Sequence, residues 1–221
     1  MADFPVQINK LLAGVCHTFV APITAAVPVN LADIIALVGT PAPAAPWRYL
    51  GATDDDSGTF ERDFKVEDFT IGQRNGAVLR DVTELHLGFT TDLSEVTPEN
   101  LQLILEGSTI TTVAAAANKS AQKHVRGGSF SELTRYRVAF VARRKKSQAL
   151  ITEPGGNQRG AYVAGVLYNV ALGADKSSVK FSKKGLAQLP VQFEAYPEDT
   201  LPQGQEYYTF IEEQPGIIAA V

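Results

Sequence analysis

The sequence predicts a mainly β fold that carries one well-formed helix. Three observations predict it: segments from Trp47 onward alternate apolar and polar residues with period two, one stretch has a complete set of helix-end signals, and the composition supports a real core. Hydrophobic residues make up 45% of the 221 residues and charged residues 20%, well above what a disordered chain contains.

The strand pattern is clearest in "TELHLGF", where Thr83, Leu85, Leu87 and Phe89 fall on one face and Glu84, His86 and Gly88 on the other. "YRVAFVA" repeats it with Tyr136, Val138, Phe140 and Ala142. "LAQLPVQFEAY" repeats it with Leu189, Val191, Phe193 and Ala195 inward and Gln188, Gln192 and Glu194 outward. Pro190 has no N–H to give a ladder, so that side of its strand should be an edge or a bulge. "AYVAGVLYNVAL" is apolar on both faces and needs cover on both.

The helix is "TPENLQLILEG". Thr97 is suited to cap it, Pro98 to begin it, Glu99 to meet the positive end of its dipole, and Gly107 to end it. Leu101, Ile104 and Leu105 form its apolar stripe, which should pack on the sheet. A second, weaker helix pattern, "NLADIIALVG", starts at a potential cap, Asn30, and stops at Gly39; "TPAPAAP" then reads as an extended linker. The tail "EDTLPQGQEYYTFIEEQPGIIAAV" has little regular pattern. Its apolar end, with Ile217 and Ile218, reads as an arm that docks on another subunit.

Composition narrows the function. The net charge of −4 argues against a general nucleic-acid binder. One cysteine, Cys16, excludes an internal disulfide and a zinc site built from cysteines alone. The N-terminal "KLLAGVCHTFVAPITAAVP" is interrupted by His17 and Pro22 and is read as part of the mature chain, and no run approaches the length of a membrane span. The histidines His17, His86 and His124 form no metal-ligand spacing, and the sequence has no nucleophile elbow or phosphate-binding loop, so no enzyme and no cofactor are expected. In "PWRYLGATDDDSGTFERDF", an EF-hand loop starting at Asp54 would need an acid where Gly58 stands and a glutamate where Lys65 stands. The Asp triplet is therefore read as a turn between two strands.

Charge is unevenly divided. Asp54 to Glu106 holds 13 acidic and 4 basic residues, a net of −9, whereas Lys119 to Lys146 holds 9 basic and 1 acidic, a net of +8. Such a split fits complementary surfaces that meet between copies. The candidate contact residues are Asp54, Asp55, Asp56 and Asp63 on one copy and Arg143, Arg144, Lys145 and Lys146 on its neighbour, together with Ile217 and Ile218 of the tail.

The order of these segments, "GVCHTFVAP…TAAVP", a short helix, "PWRYLG" with an acidic hairpin, "FTIGQRNGAVLRDVTELHLGFTTDLSEVTPENLQLILEG" and "LPVQFEAYPED", resembles the major tail tube protein of long-tailed bacteriophages, particularly those of actinobacteria. The basic stretch Lys119 to Lys146 departs from that pattern. The resemblance implies two packed antiparallel sheets, sandwich- or barrel-like, with a flanking helix: an N-terminal arm over 1–46, the β domain over 47–200 and a C-terminal arm over 201–221. It further implies a virion protein made in the host cytoplasm. Hexameric rings would stack around the tape-measure protein, meet tail terminator and baseplate or tip proteins, and conduct DNA without binding it or any membrane. A tube subunit of another injection machine, or a sugar- or calcium-binding β-sandwich, is the alternative.

Overall fold

The computed structural model describes residues 16–28, 30, 32–34, 46–51, 53, 58–70, 77–117, 119–143, 150–152, 156–173, 189–214 and 216–217. Among these residues the thirteen strands are β1 Cys16–Pro22, β2 Arg48–Tyr49, β3 Thr59–Thr70, β4 Ala77–Leu93, β5 Thr109–Val113, β6 Gln122–Arg126, β7 Tyr136–Arg143, β8 Leu150–Thr152, β9 Gln158–Gly160, β10 Tyr162–Leu172, β11 Leu189–Ala195, β12 Tyr208–Glu212 and β13 Gly216–Ile217, with helix α1 at Pro98–Ile104.

The main sheet is antiparallel, in the order β2-β1-β7-β10-β11-β4-β3, and β12 is also bonded to β10. β10 is thus shared. Along one edge it pairs with β7; along the other, Val163 to Leu167 pair with β12 and Val170 to Leu172 with β11. Between these halves the β7 register slips by one residue, from Leu167↔Val138 to Val170↔Tyr136. The slip turns Val170 onto the same face as Leu167 and adds twist. The sheet bends there, and its two halves face each other as a sandwich. Phe89 of β4 and Phe140 of β7 lie three places apart in the strand order, yet their rings stack at 4.9 Å.

The core lies on both sides of β1, β7 and β10. Inside the sandwich, Val20, Leu87, Phe89, Leu93, Val138 and Phe140 pack with β10, β11 and the helix residues Leu103 and Ile104. On the outer face, Phe19, Ala139, Val141, Ala164 and Val166 pack under Ile34 and Trp47. Apolar residues on both faces of β10 are covered as expected. β7 departs from simple alternation: Ala139 and Val141 are as deeply buried as Val138 and Phe140, because this second cluster covers the face that alternation assigns to solvent.

Helix α1 begins as its sequence dictates. Thr97 Oγ1 accepts from the Asn100 N–H at 3.1 Å, Pro98 opens the first turn, and Gly107 follows the end with φ +74°. The buried positions are Asn100, Leu103 and Ile104, with Leu101 packed at their edge. Leu105 is a correction to the expected stripe: it caps the helix and stays 40% exposed. Burial follows Asn100, whose side-chain amide donates to the carbonyls of Leu50 at 2.8 Å and Glu95 at 3.0 Å and accepts from Arg48 at 2.6 Å. These bonds turn the helix face that contains residues 100, 103 and 104 inward. Asn30 likewise accepts from the Asp33 N–H at 2.9 Å at the start of the helical residues 32–34, while Gly39 lies outside the described residues.

Three further expectations change. Thr83 leaves the inward face of β4 because the β3 register skips it, passing from Lys65↔Glu84 to Val66↔Val82. β11 is not an edge strand, since it pairs with β10 and β4. Pro190 fits nonetheless. The Gln192 carbonyl accepts from Gly173 on the β10 side, so two residues earlier the missing Pro190 N–H points to that side, past the last β10 pair, Leu172↔Phe193. Within the tail read as an arm, Tyr208–Glu212 form β12, because the first half of β10 has an edge that β11 does not reach.

Phe140 covers Gly165, where a Cβ would fall 2.2 Å from Phe140 Cζ. Gly165→Ala should therefore displace a ring clamped against Phe89 and destabilise the fold by roughly 1–3 kcal/mol, read as a lower urea midpoint at unchanged slope.

Candidate assembly interface

The β3–β4 pair continues well beyond the sandwich. β11 accompanies β4 only from Leu87 to Leu93, whereas β3 and β4 stay paired out to Thr70↔Ala77. The outer ten residues of β4 therefore form a two-stranded ribbon of roughly 30 Å. Along it β3 has no second partner among the described residues. Residues 61–68 and 81–84 are all exposed.

The ribbon has two unlike faces. Residues Phe60, Arg62, Phe64 and Val66 share one face with Phe89, Leu87, Leu85 and Val82 by register. This stripe begins in the core at Phe89 and runs out to Phe64, 51% exposed, and Val82, 56% exposed. At its inner end Phe60 packs edge-on against Tyr208 and Phe210 of β12, and Arg62 lies 5.8 Å from the Phe64 ring centre. A cleft of about 360 Å³ opens beside it between Arg62, Leu85, Leu87 and the turn 204–208. The opposite face carries Glu61, Asp63, Lys65 and Glu67, with Lys65 bonded across the strands to Glu84 at 2.5 Å and His86 set between Glu84 and Glu194 at 3.5 Å from each.

At the far end of β4, the β5–β6 hairpin stands on α1. Lys123 bonds Glu99, and the two strands pair from Thr109↔Arg126 to Val113↔Gln122. Beside it lies a cleft of about 650 Å³, lined by Arg48, Leu103, Glu106 and Tyr136 among others. Burial there pushes the Glu106 carboxyl above its ordinary value, although the Thr134 N–H, donating at 3.2 Å, opposes it.

The sequence-derived contact candidates separate. Asp63 lies on the charged ribbon face opposite His86. Arg143 ends β7, its guanidinium 5.9 Å from the Tyr162 ring centre and four places from β3 in the strand order. Ile217 pairs with Thr152 in β13, in a small sheet ordered β13-β8-β9. Asp54, Asp55, Asp56, Arg144, Lys145, Lys146 and Ile218 lie outside the described residues. β2 and β3, which flank the Asp triplet, do not form a hairpin with each other; they are the opposite ends of the strand order. The connection is tied where Thr53 bridges Leu93 and donates to the Cys16 carbonyl at 3.0 Å. Part of the basic stretch is spent within the chain: Arg135 lies 3.7 Å from the Tyr196 ring centre and Arg137 bonds Glu198 at 3.8 Å. Sequence reasoning missed the apolar ribbon stripe, although the alternation Phe60, Phe64, Val66 announces it.

The histidines lie apart. His17 meets the Tyr49 hydroxyl at 3.1 Å, with burial lowering its pKa, and His124 meets Gln122 at 3.1 Å. Among the described residues no three His, Cys, Asp or Glu side chains gather as a metal-binding group.

A family model described as phage tail tube protein matches residues 7–220. The chain belongs to that family. It is a structural component of the phage virion tail, a subunit that self-assembles into the tail tube. No curated protein matches the chain.

The end of β12 in this tail tube protein is held by one charged clamp. Glu213 takes both guanidinium nitrogens of Arg159, at 2.5 and 2.7 Å, and the Tyr162 N–H at 3.0 Å. Burial alone would raise the Glu213 carboxyl, but the Arg159 and Tyr162 bonds outweigh it and hold the group below its ordinary value. A depressed carboxylate adds stability that is complete above its unfolded pKa of about 4.3 and is lost as pH falls through the folded value. Glu213→Gln should therefore cost about 2 kcal/mol at neutral pH, with the gap to the parent protein closing below about pH 4, as read from urea unfolding at both pH values.

Proposed function

We propose that this subunit forms hexameric rings, that the rings stack through the β3–β4 ribbon, and that the resulting tube encloses the tape-measure protein and then conducts DNA. The carrying observation is the ribbon itself. Among the described residues it has an open edge, and it runs past the end of β11 and bears an apolar stripe continuous with the core. A two-stranded ribbon is marginal in water on its own, and an unpaired edge next to exposed apolar residues invites another chain. In a protein that assembles with itself, the cover is a neighbouring copy.

Ring closure uses the other exposed edges of the sandwich, and the tube ends are met by terminator and baseplate or tip proteins. Asp63 belongs to the joint between rings through its place on the ribbon. The acidic excess of the chain suits a conduit for DNA, because phosphates are held chiefly by Lys and Arg. Hosts among the actinobacteria fit the segment order of the sequence.

Concentrated protein viewed by negative-stain microscopy should show rings or tubes, and a sedimentation series with monomer alone at every concentration and salt would overturn the reading. Phe64→Ser combined with Val82→Ser should change monomer stability by less than about 1 kcal/mol, because both residues are exposed in the monomer. The same double variant should raise the protein concentration needed for tubes at least roughly tenfold, since burying two such side chains is worth more than about 1.4 kcal/mol.

A further inference from the structure

We propose that the β5–β6 hairpin is the receptor for the β3–β4 ribbon of a copy in the adjoining ring. The proposal rests on the stacked-ring reading above and identifies what the ribbon touches.

The first argument is geometric. β4 is one strand of 17 residues, roughly 55 Å long at about 3.4 Å per residue. Its first residues carry the ribbon, and α1 with the β5–β6 hairpin follows its last. Ribbon and hairpin thus attach at opposite ends of β4. A head-to-tail stack brings unlike ends together, so the ribbon end of one copy meets the hairpin end of the next.

The second argument is incomplete cover. Among the described residues β5 and β6 form a two-stranded sheet that joins no strand of the main sheet. They rest on α1, and the chain that leaves them is pinned there, since a Cβ on Gly128 would lie 2.9 Å from the Gly107 carbonyl oxygen. Val113, Phe130 and Leu133 are exposed around it, with Phe130 at 55%. The hairpin end therefore offers apolar area to match Phe64, Val66 and Val82 of the ribbon.

The third argument is the ribbon's overall charge, which acts at a distance because Glu61, Asp63 and Glu67 lie on the face away from the apolar stripe. Between Thr59 and Thr70 and between Ala77 and Leu87 the ribbon carries six acidic and three basic residues. From Thr109 to Thr134 the hairpin and its exit carry three basic residues and one acidic. Lys123 is engaged with Glu99, while Lys119 and Arg126 are exposed on the hairpin. The large cleft beside α1 is a weaker receptor because its lining mixes Arg48 with Glu99 and Glu106, so it does not select an acidic partner.

The decisive experiment places the photo-crosslinker p-benzoylphenylalanine at position 64 of the full chain. Tubes assembled from a mixture of isotopically light and heavy subunits are irradiated and digested. Crosslinked peptides joining position 64 of one subunit to residues 109–134 of another are expected. Intermolecular crosslinks that fall outside 109–134 would overturn the proposal while leaving ring stacking intact. Separately, Lys119→Glu with Arg126→Glu should slow tube growth at low salt by roughly fivefold through lost long-range attraction, and Glu61→Lys with Glu67→Lys in the same chain, whose side chains face away from the apolar stripe and act only at a distance, should recover part of that loss. Growth of the first double variant at the parent rate would count against the hairpin as receptor. Absence of tubes from the parent protein itself would instead remove the stacked-ring reading, and this proposal with it.

Discussion

Strand β10 has to serve two layers at once, and the architecture follows from how it does so. Its edge away from β7 is divided between β12 and β11, and the one-residue slip after Leu167 lets the strand bend where the division falls. Without the bend, Phe89 could not reach Phe140, and the strand order β7-β10-β11-β4 would be an open sheet with one face in water. Gly165 belongs to the same device. It leaves room for the Phe140 ring to lie across β10 toward the opposite layer. The outer cluster under Ile34 and Trp47 then becomes necessary, because bending the sheet does nothing to cover Ala139, Val141, Ala164 and Val166 on its other face.

The same economy extends to β4, which is core strand and projecting arm in one element. Its inner half is paired with β11 and its outer half, among the described residues, is paired with β3 alone. Charged residues alternate with the apolar ones along the arm: Glu61, Asp63, Lys65 and Glu67 face away from Phe60, Phe64 and Val66. Such charges keep an open edge soluble until a specific surface meets it. The arrangement reconciles a subunit that must remain dispersed before assembly with one that must bind its own kind.

The elements legible in the sequence are those whose patterns are set locally. Thr97, Pro98, Glu99 and Gly107 place α1 because each acts on its own backbone neighbourhood. Leu189, Val191, Phe193 and Ala195 read correctly as inward because β11 has one face in the core. β7 read as simple alternation but is buried on both faces, because burial of its second face is decided by Trp47 and Ile34, distant in sequence. β12 has no visible alternation because its position is fixed by hydrogen bonds to β10 rather than by a buried face. The candidate contacts read from charge alone identified the acidic and basic halves of the chain. Charge does not say which charges are consumed internally, and Arg135 and Arg137 are among those that are.

The place of β12 along the chain also has a consequence for synthesis. β1 is bonded to β7 with Cys16 opposite Ala142, and the open half-edge of β10 is closed only by residues 208 to 212. A nascent chain therefore carries β10 for 36 residues before β12 begins, from Leu172 to Tyr208. Translation at about 5–20 residues per second makes that an interval of a few seconds. Until then Phe140 and Phe60 lack the aromatic partners Tyr208 and Phe210, and the sandwich is incomplete. A subunit that stopped short of residue 208 would lack the strand that finishes its layer.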